Sequence, residues 1–117
     1  MRAGPATLPA GWQPADIGAV GTAGSASESS GTFALRGAGA DIWGTSDAFH
    51  YAYRSLSGDG TITARVASVS GSNAWTKMGV MIRSSTSSSS AHAFMLVSTG
   101  KGLAFQRRRS SGATSLH

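Results

Sequence analysis

Five carboxylates, Asp16, Glu28, Asp41, Asp47 and Asp59, are the only acidic side chains in the 117 residues, and hydrolysis of a glycosidic bond is the first chemistry to test on them. That reaction needs an acid and a nucleophile or base flanking the sugar bond, about 5 to 10 Å apart. None of the five falls into the one-strand Glu-x-Asp-x-x-Glu spacing that some glucanases use. Asp16, Asp41, Asp47 and Asp59 instead adjoin turns or strand ends, where carboxylates cap backbone N–H groups. Asp41, Asp47 and Asp59 also offer hard oxygens near loops to a calcium ion, although capping is the better reading of each. His50, His92 and His117 lack metal-ligand spacing, there is no cysteine, and no Gly-x-Ser-x-Gly elbow occurs among the serines. The chain is expected to be non-catalytic and to need no cofactor, with a glycanase remnant as the minor alternative.

Recognition without catalysis is better supplied. A pyranose presents an apolar CH face that stacks on aromatic rings, and hydroxyls that pair with amide or charged groups. Trp43, Tyr53 and Trp75, with Arg65, Arg83, His92 and Arg107, form such a set if they share one sheet face. Arg65, Arg83 and Arg107 pointing into one groove would favour acidic polysaccharides such as uronates. The competing reading puts aromatic side chains in the core: Trp12, Phe33, Phe49, Tyr51, Phe94 and Phe105, with Trp43 among them. Arg83 and Arg107 could likewise form internal salt bridges with Asp41 or Asp59. Nucleic acid ranks lower as a partner, because strand alternation sends Arg107 and Arg109 to one face and Arg108 to the other.

These side chains must be positioned by strands. Gly, Ser and Thr are abundant, while the chain has one Glu and two Lys, so long salt-bridged helices are improbable. The charged fraction of 13% is about half the usual globular value and the net charge is +5, which favours anionic partners. No apolar run approaches the roughly 18 residues that span a bilayer. Nor does the N-terminus carry a signal-peptide core, so the signal of an exported module would lie upstream or be missing here.

Residues 1–9 read as a linker or N-terminal extension, and residues 10–117 as one domain. Alternation suggests strands at Asp16 to Val20, Thr32 to Arg36, and Ala48 to Arg54, where Phe49, Tyr51 and Tyr53 share a face. Gly21 to Gly31 is a loop or an edge strand. The Ser57-Gly58-Asp59-Gly60 turn predicts a hairpin joining the Tyr53 strand to a strand over Thr61 to Val69. Trp75 to Arg83, apolar on both faces, reads as a central strand. Ser84 to Ser90 reads as a mobile loop, and Ala91 to Thr99 and Leu103 to Arg109 as two further strands. Six or so strands of this kind indicate a sandwich or barrel.

Several segments together resemble a bacterial family of concanavalin A-like lectin/glucanase-fold domains of unknown function, labelled regulation of enolase protein 1. They are Leu8-Pro9-Ala10-Gly11-Trp12, Asp16-Ile17-Gly18, Gly39-Ala40-Asp41-Ile42-Trp43-Gly44, Asp47-Ala48-Phe49, Leu56-Ser57-Gly58-Asp59-Gly60, Lys77-Met78-Gly79-Val80-Met81-Ile82-Arg83 and Phe105-Gln106-Arg107-Arg108. The resemblance implies an antiparallel two-sheet jelly-roll β-sandwich used as an accessory module of exported, multi-domain proteins. It also implies an extracellular or cell-surface setting, glycans and neighbouring domains as partners, and no known catalytic site. Domains of that family continue through further strands after the segment matching Gln106 to Arg108, so the sandwich is expected to be incomplete at the C-terminus. Strands without neighbours would then leave part of the core open to water.

Overall fold

A computed structural model of the chain describes residues 7–117. Of the expected extension over residues 1–9, residues 1–6 lie outside the described part, while Thr7 accepts a hydrogen bond from the Glu28 N–H at 3.2 Å. The described residues are all-β: they form nine strands in several antiparallel sheets and no helix. No helix long and apolar enough to cross a membrane is present among them. The chain divides into two compact units, the first comprising the described part of Met1–Ile42 together with Asp47–Ser57, the second Trp43–Ser46 and Gly58–His117.

The first unit contains β1 (Gln13–Ile17), β2 (Ser25–Ser29) and β3 (Thr32–Arg36). Next along the chain come β4 (Ile42–Trp43) and β5 (Ser46–Asp47), a minimal hairpin whose tip belongs to the second unit, and then β6 (Phe49–Tyr53). β1 pairs with β6 from Gln13↔Tyr53 to Ile17↔Phe49. β2 and β3 form a hairpin, so Gly21 to Gly31 contains a strand. Its two turn residues, Ser30 and Gly31, have φ of 50° and 84°, the left-handed pair whose twist matches that of flanking strands. Glu28 Oε2 accepts from the Gly31 N–H at 2.8 Å and closes the turn.

In the second unit, β7 (Lys77–Arg83), β8 (His92–Ser98) and β9 (Leu103–Arg108) make one three-stranded antiparallel sheet. β8 is its centre and β7 lies at an edge, which corrects the expected central position of β7. Both hairpins of this sheet run through β8, so sequence neighbours claim its two sides. The expected Thr61 to Val69 strand does not form either. β6 takes β1 as its partner, and residues 61–69 run without ladder hydrogen bonds. Their apolar alternation still has an outlet, because Ala64 and Val66 line a groove of about 230 Å³ with Val80, Met95, Val97 and Leu103.

Which face of this sheet is covered departs from hydrophobic expectation. Met81, Phe94, Leu96, Ala104, Gln106 and Arg108 are buried, and the register sets Lys77, Gly79 and Arg83 on the same side. The opposite, more apolar side is open: Ile82, Met95, Leu103 and Phe105 are 43, 44, 71 and 47% exposed. Phe105 is therefore not core, and in the first unit Phe33 is exposed too. Phe94 is buried as expected, while Trp12, Phe49 and Tyr51 are half-buried.

Candidate functional site

The polar side of the three-stranded sheet carries the most developed constellation. Lys77, at the start of β7, holds its ammonium 5.4 Å from the ring centroid of Trp43 and 5.4 Å from that of Trp75. At that range the negative face of each indole attracts the cation. Lys77 Nζ also donates to Gln106 Oε1 at 2.9 Å. Gln106 is itself buried on β9, so its amide orients the lysine from below the surface. The His117 ring meets Trp75 edge-on, at 5.9 Å and 83°.

The backbone that carries each ring is fixed by hydrogen bonds. Trp75 sits in a turn in which Asn73 Oδ1 accepts from the Trp75 N–H at 2.8 Å and Asn73 O from the Thr76 N–H at 2.9 Å. The β8–β9 turn grips this segment, Thr99 N–H donating to Thr76 O and Gly100 N–H to Ala74 O. That turn is closed by Ser98, whose Oγ donates to Gly102 O and accepts from the Lys101 N–H, with Gly102 at φ 73°. Trp43 is fixed from beneath by Arg108, which is 1% exposed. Arg108 Nη2 donates to Trp43 O at 3.2 Å, Gly44 O at 3.0 Å and Ser115 Oγ at 3.1 Å, Nη1 to Ser90 O at 3.1 Å, and Nε to Ala113 O at 2.8 Å.

The remaining sequence-derived candidates are dispersed. Arg83 donates to Ser85 O and Ser87 O at 3.2 and 2.7 Å and lies 3.4 Å from His92 Nδ1. It ties down the Ser84 to Ser90 loop, which the sequence suggests is mobile, and a buried Ser90 hydroxyl bonded to Ser84, Ser85 and Ala91 completes the stitching. His92 is buried beside it. Arg107 pairs in register with Ala93 on the other side of the sheet, its guanidinium 6.0 Å from the Phe105 ring, whereas Arg83 and Arg108 flank His92. Arg65 is exposed in the strand-free segment. The expected groove of Arg65, Arg83 and Arg107 is thus not formed, because odd positions of β9 and odd positions of β7 face opposite ways across this register.

Tyr53 belongs to the first unit, where it stacks on Tyr51 at 5.4 Å and 18°, its hydroxyl 3.4 Å from Gln13 Oε1. Trp43 is 37% exposed, so it is presented at the surface and is not core. Of the seven candidates, the structure unites Trp43 and Trp75, and separately Arg83 and His92. Sequence reasoning misses Lys77, Gln106 and Arg108. The only signal available for Lys77 was its place two residues after Trp75 at a strand start.

The first unit holds a second polar pair. Asp16 and His50 face each other in the β1–β6 register, with Asp16 Oδ1 2.8 Å from His50 Nδ1. Asp16 also accepts from the Gly24 N–H at 3.0 Å. The His50 side chain is 4% exposed, beneath Gly24 and Gly37, and its Nε2 has no hydrogen-bond partner. The hydrogen bond from His50, then that from Gly24, hold the Asp16 carboxyl below the usual carboxylate range, with burial opposing. Among the described residues no group of three acidic, histidine or cysteine side chains is placed to hold a metal ion. No family model matches the chain, and neither a curated protein nor a solved structure does.

Proposed function

We propose that this chain is a non-catalytic accessory module of a secreted, multi-domain protein, of concanavalin A-like jelly-roll ancestry, that binds carbohydrate. The observation that carries the reading is the placement of Trp43 and Trp75 about one ammonium, with Trp43 open to solvent. Two indoles give a sugar apolar faces to stack on, and Lys77 supplies a donor for a ring substituent. Arg108 and Asn73 hold the backbone of Trp43 and of Trp75 before a ligand arrives, which lowers the ordering cost of binding.

Native affinity electrophoresis of the chain through gels containing soluble polysaccharides tests this reading. Retardation by at least one glycan is expected, weakened about fivefold by Trp43→Ala or Trp75→Ala, since a stacked ring contributes about 1 kcal/mol. Unchanged mobility across neutral and acidic glycans would overturn it. A spacer or adhesion module that docks neighbouring domains is the second reading, favoured by the open apolar side of β7, β8 and β9.

A further inference from the structure

We infer that the glycan recognised at Trp43, Lys77 and Trp75 is acidic, a uronate-type polysaccharide whose carboxylate is taken by Lys77. The inference rests on the carbohydrate reading and adds the charge of the ligand to it. Its first support is the partition of charge. Seven of the ten Lys and Arg residues belong to the second unit, which contains one carboxylate, Asp59, whereas the first unit has three cations against four acids. The second unit therefore carries +6 and the first −1. All of the chain's basic excess lies in the unit that presents the two indoles.

The second support is the geometry. The Lys77 ammonium is fixed at equal distance from both rings by the buried Gln106 amide. A uronate needs this combination: an aromatic face for the CH side of the pyranose, and beside it a compact donor for the carboxylate, whose charge-assisted bond is about twice as strong as one to a hydroxyl. A phosphate backbone is matched less well. Arg107 and Arg108 lie on opposite sides of the sheet, and Arg108 is enclosed, so the cations do not form a continuous track.

Polygalacturonate and its methyl-esterified form share one backbone and differ in the charge of the carboxyl group, so the chain's retardation by each isolates the acid. Binding to polygalacturonate is expected to be at least about tenfold tighter than to the ester. It should also weaken steeply as salt rises from about 0.05 to about 0.5 M. Lys77→Gln should remove the difference between the two polymers, Lys77→Arg should keep it, and Arg109→Gln, an exposed charge beyond β9, should leave it unchanged. Equal binding of both polymers would overturn the acidic preference while leaving carbohydrate binding in place. Binding of neither would overturn both. Tighter binding to a single-stranded oligonucleotide than to polygalacturonate would replace the glycan with nucleic acid. The wild-type ester comparison decides the acidic preference even if the Lys77 variants fold poorly, and an unchanged ester difference in folded Lys77→Gln would overturn the assignment of the carboxylate to Lys77.

Discussion

Arg108 and Gly44 are joined by a hydrogen bond of 3.0 Å between a buried guanidinium and a backbone carbonyl 64 positions earlier in the chain. The same carbonyl accepts from the Ser115 N–H at 2.7 Å and the Ser115 hydroxyl at 3.0 Å. One arginine thereby closes the β4–β5 turn, the serine-rich loop through Ser90, and the C-terminal segment through Ala113 onto β9. The acceptors are neutral oxygens in a poorly hydrated place, where each one left unmatched costs about 1 to 3 kcal/mol.

Arg108→Met should for this reason lower stability by about 3 kcal/mol or more, measured as a fall in the urea midpoint with unchanged slope. It should also weaken glycan retardation under conditions where the chain is still folded, because Trp43 loses its anchor. Arg109→Met, one residue on and exposed, should change stability by less than about 0.5 kcal/mol.

Asp16 provides a pH test within the first unit. Its folded value lies below its unfolded one, chiefly through the hydrogen bond with His50. The stabilisation is thus present in full above the ordinary carboxylate range and is lost as pH falls through the lowered folded value. Asp16→Asn should destabilise the chain near pH 6 in urea titrations, and the gap to wild type should shrink towards zero once both folded and unfolded carboxyls are protonated. A gap that stays constant from neutral to strongly acidic pH would show that geometry, not charge, makes the contact.

How much of this is legible in the sequence depends on which physical term decides each feature. Phe49, Tyr51 and Tyr53 reveal β6 because alternation is a property of the strand itself. Thr61 to Val69 has the same alternation and forms no strand, because alternation describes a segment and a ladder also needs a partner in register; β6 takes β1, and no described strand pairs with residues 61–69. In β7, alternation correctly separates Met78, Val80 and Ile82 from Lys77, Met81 and Arg83. It does not say which side is covered, and the less apolar side is the buried one. Trp43 and Trp75 stand out by residue type, but their meeting at Lys77 depends on Arg108 and Asn73, whose bonds to distant backbone leave no local pattern.

Gly79 tests the positioning of Lys77 from the strand side. It lies opposite Leu96 in the ladder, and a Cβ there would collide with the Met95 carbonyl and the Leu96 Cα. Both are backbone of the central strand and cannot swing aside. Gly79→Ala should cost about 1 to 3 kcal/mol by thermal or urea denaturation, in the range of overpacked sites. Val80→Ala, one position on and facing the open side, should cost less.

The open side of the sheet leads to a prediction about solution behaviour. Ile82, Met95, Leu103 and Phe105 share that side and all remain substantially exposed, an apolar grouping of the kind that drives association. Sedimentation velocity should find concentration-dependent self-association of the chain. Leu103→Lys with Phe105→Lys should shift it towards monomer, because the added charges must be desolvated and repel one another in any face-to-face contact. Leu103 is 71% and Phe105 47% exposed, so the double variant should keep the parent's stability in urea within about 1 kcal/mol. A chain that stays monomeric at all concentrations before substitution would mean that Ala64 and Val66, which wall the groove beside Met95, already shield this side sufficiently.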